Sequence, residues 1–195
     1  MSGLFRLGLT GSIGMGKSTT AAMFADEGLP VWDADAVVRR LYAPGGPAGP
    51  ALEAAFPGTL RHDGHVNREV LRALIADDPA VLDRINAIVH PMVAADRSNF
   101  LSQNPGLVIL DIPLLFETGL ESECDAVVVV STDADTQRER VLARDTMTEA
   151  DFKAILLRQM PDAEKRAKAD YVIITDTLDG ARHAVKDVIS DIKGR

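Results

Sequence analysis

Residues 11–18 read Gly11, Ser12, Ile13, Gly14, Met15, Gly16, Lys17, Ser18, the spacing G-x-x-x-x-G-K-[ST]. No other feature of the 195-residue chain restricts its fold as tightly. Glycines at these positions let the backbone bend sharply and bring its N–H groups within reach of an anion, where a Cβ would stand in the way. The stretch follows an apolar, strand-like Leu7, Gly8, Leu9, Thr10 and runs into a helical pattern over 17–27 that stops at Gly28. Strand, glycine-rich turn and helix N-terminus together make a phosphate-binding loop. The helix presents its partial positive end, Lys17 adds a full charge, and Ser18 offers a hydroxyl suited to Mg2+. The residues expected to meet a nucleotide are Gly11, Ser12, Ile13, Gly14, Met15, Gly16, Lys17, Ser18 and Thr19, with Ser18 also a metal ligand.

The rest of the chain repeats the strand-then-helix alternation. Short apolar, β-branched runs fall at 4–9, 31–32, 107–110, 126–130 and 171–174, separated by helical periodicity or polar punctuation, which predicts an α/β fold with buried parallel strands. Thr132 is expected to cap a helix over 133–145, and Thr148 with Asp151 to form a capping box opening a helix through 160. Residues 43–50 hold three glycines and three prolines, so they continue neither helix nor strand and mark a loop. Beyond it, 51–103 carries mainly helix signals, with Asn67 before a helix over 68–76, Pro79 near a helix start and Pro91 opening a segment to 102. The expected organisation is a core of 1–42 and 104–195, a helical insertion over 43–103 that receives the substrate, a lid at about 133–168, and a closing amphipathic helix over 178–192.

Composition narrows the partners. With 29 acidic against 21 basic side chains, the mean surface field repels polyanions, which argues against nucleic acid. Cys124 is the only cysteine, so no internal disulfide can form, in keeping with a reducing compartment and a buried thiol. No export signal is visible, and no apolar run approaches the roughly 18 residues needed to cross a bilayer, so neither a membrane partner nor a location outside the cytoplasm is expected. Nothing in the chain fixes an oligomeric state, and a monomer is compatible with it.

A phosphate-binding loop alone does not separate kinases from GTPases, motor ATPases or nucleotide-dependent regulators. The base-recognition tetrad Asn-Lys-x-Asp of a GTPase does not occur. Asp33 and Asp35 follow the second strand, at the edge where parallel sheets hold ligands, and a carboxylate there could orient an acceptor hydroxyl and take its proton. Each could instead open a helix as a cap. The run 107–110 ends in Asp111, a pattern that suits a magnesium ligand or a turn former. Pro113, Leu114, Leu115, Phe116, Glu117 continue from it, with Glu117 facing either a cleft or solvent. Gln137, Arg140 and Arg144 share one helix face, from which two guanidinium groups could neutralise a transferring phosphoryl group or simply meet solvent. His90 precedes Pro91 at an expected helix entrance, where it would touch substrate or cap. His62 and His65 lack the further ligands a metal site needs.

In order and spacing, the loop at 11–19, the Asp33-Ala34-Asp35 step, His90-Pro91, the stretch 113–117, and Gln137, Arg140, Arg144 with Asp145 resemble the dephospho-CoA kinase family over nearly the whole chain. Gln159 and Ala169-Asp170-Tyr171-Val172-Ile173 are similar to that family's lid exit and final strand. The resemblance implies a P-loop NTPase three-layer core with a five-stranded parallel sheet, an inserted helical substrate-binding subdomain and a helical lid. It also implies transfer of a phosphoryl group from ATP, with Mg2+, to the ribose 3′-hydroxyl of dephospho-CoA. Asp33 would be the base or orienter of the acceptor, Lys17 and Arg140 would act on the phosphoryl group, and Arg144 would support lid closure over ATP. Asp35, His90, Leu115 and Glu117 would meet the acceptor, and Ser18 and Asp111 the metal. Asp176 stands where the family's Asn is expected beside the adenine. Alternatives left open are another small-molecule or nucleoside monophosphate kinase, and a non-catalytic nucleotide-binding regulator.

Overall fold

The computed structural model describes residues 3–144 and 147–194. It divides into a core unit, Met1–Asp33 with Asn104–Arg195, and a helical unit, Ala34–Gln103. The second unit thus begins at Ala34, ahead of the 43 read from the sequence, because the helix that follows Asp33 packs on the long helix of the insertion.

In the core unit, β1 (Phe5–Thr10), β2 (Val31–Asp33), β3 (Leu107–Asp111), β4 (Ala126–Ser131) and β5 (Tyr171–Ile174) form one sheet in the order β2-β3-β1-β4-β5. Every pairing is parallel. β3 and β4 are buried along their whole length, which is why their sequences read as unbroken apolar runs and not as alternating ones. Leu7, Leu9, Ile109, Val128, Val130 and Ile173 turn to one face, where Phe24 of α1 (Lys17–Asp26) and Val185 and Ile192 of the closing helix join them. Val108, Leu110, Val127 and Val129 alternate with them and are buried too. β1 is flanked by β3 on one side and β4 on the other, so the chain runs outward from it both ways. Ligand crevices in open parallel sheets lie at the carboxyl end of such a point.

The helical unit holds α2 (Ala34–Leu41), α3 (Ala48–Ala55), α4 (Arg68–Asp77) and α5 (Val81–Gln103). Asn67 caps α4 by accepting from the Glu69 and Val70 amides, as its position before Arg68 predicts. Pro91 does not open a helix. It lies inside the 23-residue α5, where packing of α2, α3 and α4 along that helix outweighs the hydrogen bond a proline removes. His90 is therefore an exposed mid-helix residue and not a cap at a helix entrance.

Between β4 and β5 run α6 (Ala134–Leu142), α7 (Glu149–Leu156) and α8 (Asp162–Lys168), and α9 (Leu178–Gly194) closes the chain. Thr148 and Asp151 make the predicted capping box, but the helix stops at Leu156 and a new one starts after Pro161. The cap of α6 is Asp133, which accepts from the Thr136 amide, and not Thr132, whose hydroxyl donates to Asp176 at 2.6 Å. Asp145, expected on this helix, falls outside the described residues. Cys124 is half-buried, not fully buried as expected. No helix among the described residues is long and apolar enough to cross a membrane.

Candidate active site

The loop between β1 and α1 folds as its glycines require. Gly14 and Gly16 take φ of 79° and 87°, a region that L side chains avoid. Close approach constrains them as well: a Cβ on Gly14 would lie 2.6 Å from Val141 Cγ2, and one on Gly11 2.4 Å from Val130 Cγ2. Lys17, Ser18 and Thr19 fill the first turn of α1, so their amides have no intrahelical acceptor and face the loop's concavity with the positive end of the helix dipole. The amides of Gly14 and Gly16 find no acceptor among the described residues either. Two expected nucleotide donors are engaged elsewhere: the Met15 amide donates to the Ser12 carbonyl at 3.2 Å, and the Ile13 amide to Gln159 Oε1 at 3.1 Å. Side chains of Ser12 and Met15 point inward and are buried, and Met15 Sδ accepts from the Thr132 amide.

The Lys17 ammonium crosses from the loop to the Asp111 carboxylate at the end of β3, forming an ion pair in which both side chains are largely buried. Asp111 stands opposite Leu9 on β1 and opposite Asp33 on β2 in the strand register. Two carboxylates thus close adjacent strands on the edge where the loop begins. Ser18 and Asp111 present the oxygen donors that Mg2+ prefers, and among the described residues no group of three or more His, Cys, Asp or Glu could hold a metal alone. The donor set fits an ion that arrives with phosphate oxygens as its other ligands.

Arg140 donates to the Thr175 hydroxyl at 3.0 Å and to the Thr175 carbonyl at 2.7 Å, while that hydroxyl donates to the Met15 carbonyl at 2.8 Å. A cavity of about 250 Å³ opens beside the loop, lined by Gly14, Gly16, Thr19, Arg140, Arg144 and Thr177 among others. Arg144 lies beyond the end of α6, yet it meets Arg140 at this cavity. The Asp176 carboxylate accepts from Thr132, so its neighbours Thr175 and Thr177 line the cavity instead.

Leu115 corrects a sequence expectation: it is fully buried, its Cδ2 2.9 Å from where a Gly8 Cβ would stand, and it serves the core instead of contacting a ligand. Glu117 accepts from the Met160 amide at 2.8 Å and pairs with the fully buried Lys165 at 2.8 Å. Burial pushes Glu117 up, but the Lys165 ammonium and the Met160 amide together outweigh it and hold the carboxyl below its usual range. Asp35, exposed in the first turn of α2, and His90 on α5 belong to the helical unit. That unit has its own cleft of about 550 Å³, lined by Arg39, Tyr42, Arg61, His65, Arg68 and Arg72 with Asp63 and Glu69. Arg68 lies over the Tyr42 ring at 5.3 Å.

Sequence reasoning missed Thr175 and Lys165. A threonine after the last strand carries no periodic signal, and Lys165 sits in the polar run Glu164, Lys165, Arg166, which reads as a solvated face.

The dephospho-CoA kinase family model matches residues 5–179. A dephospho-CoA kinase of Jannaschia sp. (strain CCS1) is 58% identical over 190 residues, covering 96% of this chain and 97% of that one. A Thermus thermophilus protein designated TT1252 superposes with a TM-score of 0.86 at 34% identity, covering 97% and 98% of the two chains. A dephospho-CoA kinase from Campylobacter jejuni shares the fold, with a TM-score of 0.64 at 22% identity over 97% of both chains.

Proposed function

The chain belongs to the dephospho-CoA kinase family, and from that premise we propose that it moves the γ-phosphoryl group of ATP onto the ribose 3′-hydroxyl of dephospho-CoA, giving CoA and ADP. The observation that carries the mechanism is the edge where Asp33 and Asp111 close adjacent strands and Lys17 reaches from the loop to Asp111. Asp33 accepts the proton of the 3′-hydroxyl as its oxygen bonds to the γ-phosphorus. The bond from that phosphorus to the β–γ bridging oxygen breaks, and ADP leaves with the electron pair.

The amides of Gly14, Gly16, Lys17, Ser18 and Thr19 cradle the phosphates, and Lys17 moves its charge from Asp111 to the transferring group. Arg140 and Arg144 add positive charge from the side of the cavity and exclude water that would hydrolyse ATP. Ser18 and Asp111 would hold Mg2+, which would supply charge neutralisation at the phosphate oxygens. In the helical unit, Arg68 and Arg72 of the cationic cleft take the diphosphate of the acceptor, for which the planar guanidinium is suited, and Asp35 and His90 offer further polar contacts. The reaction is placed in the cytoplasm, in keeping with a chain whose one cysteine has no internal partner.

ADP release from purified protein and Mg·ATP tests this reading, with dephospho-CoA, AMP, shikimate or no acceptor supplied. Strong stimulation by dephospho-CoA alone is expected, with CoA as the product. Equal rates with every acceptor would overturn the assignment.

A further inference from the structure

Both polar atoms of the Ile13 residue are held by side chains from far along the sequence. Its amide donates to Gln159 Oε1 at 3.1 Å, and its carbonyl accepts from Gln137 Nε2 at 2.7 Å. A glycine-flanked loop has many accessible conformations, and fixing the peptide groups on either side of Ile13 removes much of that freedom. Gln137 does this from a buried position on α6, and the same turn of helix fills the space beside Gly14.

Gln159 is anchored in turn through its successor in the chain. The Met160 amide donates to Glu117, and Glu117 is paired with Lys165, a lysine with no exposed surface. A contiguous chain of bonds therefore runs from Lys165 on α8 through Glu117 and Met160 to Gln159, and ends on Ile13.

We infer that Gln137 and Gln159 are positioning residues, a pair of amide clamps that hold the two peptide groups flanking Ile13 in the one orientation from which the following amides converge on phosphate. Neither glutamine touches the reacting atoms. Ile13 is spent on the clamp, and the phosphate cradle starts at Gly14. Nucleotide affinity then depends on the seating of the segment that contains α6, α7 and α8, which couples that segment to the loop before any substrate contact is made. Glutamine is suited to both places because one position needs a donor and the other an acceptor. This inference rests on the loop being the nucleotide cradle.

The test is Gln159→Met, a half-buried position that tolerates an unbranched apolar chain, alongside Gln137→Met and the double variant. Amide exchange without nucleotide, followed by NMR, is expected to lose protection at Ile13 in Gln159→Met while the β3 and β4 amides keep theirs. The Kd for Mg·ATP should rise roughly threefold to tenfold, the loss of one hydrogen bond, with kcat at saturating ATP and the KM for dephospho-CoA within about twofold. The double variant should lose less than the product of the single effects, because the two peptide groups meet at Ile13 and freeing either one already loosens the other. Gln159→Glu, which keeps the acceptor, should restore protection at Ile13. Unchanged Ile13 protection and ATP affinity in Gln159→Met would overturn the inference, as would a loss of kcat without a loss of affinity. A wild-type protein that binds no Mg·ATP would instead overturn the reading of the loop itself.

Discussion

Asp33 and Asp111 are chemically alike and adjacent in register, so the different roles proposed for them must come from what else reaches them. Lys17 is paired with Asp111, on the strand next to the loop, which supports placing that carboxylate on the phosphate and metal side of the proposed mechanism. Asp33 ends β2, one strand further out, and is the carboxylate proposed to take the acceptor's proton. Asp33→Asn keeps shape and removes only the proton acceptor. It is expected to lower kcat by about 10²–10⁴-fold while calorimetry finds Mg·ATP binding as in the wild type. Turnover within a few-fold of wild type would remove Asp33 from the mechanism.

At the level of elements, the link between α7 and α8 is held by a pair whose charges are both withdrawn from water: Lys165 is 0% exposed and the Glu117 side chain 17%. Because the folded state holds the Glu117 carboxyl below its usual range, its contribution is complete above the ordinary glutamate pKa, about 4.3, and is lost as pH falls below it. Glu117→Gln leaves Lys165 buried without a counter-charge, at a cost of about 3–5 kcal/mol. The gap in urea-unfolding stability between wild type and Glu117→Gln should be flat above about pH 5 and close as pH falls toward 3, and a gap independent of pH would contradict the pairing. Such a pair was not legible in the sequence, where Glu117 reads as facing either a cleft or solvent and Lys165 stands out from its charged neighbours by no signal. The legible features had a local cause. Glycines and Lys17 dictate the loop, apolar runs dictate buried parallel strands, and Asn67 and Thr148 cap the helices after them. Pro91 and the placement of His90 misled because tertiary packing carried α5 through a proline, and Leu115 misled because the resemblance assigned it to the acceptor while its side chain, between Leu114 and Phe116, is fully buried.

For the molecule as a whole, electrostatics poses a conflict. A formal charge of −8 sets a mean field that opposes both ATP and dephospho-CoA. The core unit answers with Lys17, Arg140 and Arg144 around the loop and its cavity. The helical unit answers with a cleft in which Arg39, Arg61, Arg68 and Arg72 outnumber Asp63 and Glu69. Concave cationic surfaces focus field lines, so an acidic protein can still concentrate an anion locally, and the effect fades as salt screens it over about 10 Å at 0.1 M. Arg68→Gln with Arg72→Gln removes two of these charges and leaves the core unit untouched. The KM for dephospho-CoA is expected to rise about tenfold or more, on the order of 1.5 kcal/mol or above, with the KM for ATP unchanged. Raising salt should increase the acceptor KM steeply in the wild type and weakly in the double variant, because the charges that salt would screen are already gone. Equal salt slopes in the two proteins, or a KM for ATP that rises alongside that for the acceptor, would show that the cleft is a solvated surface and that the acceptor's diphosphate is held elsewhere.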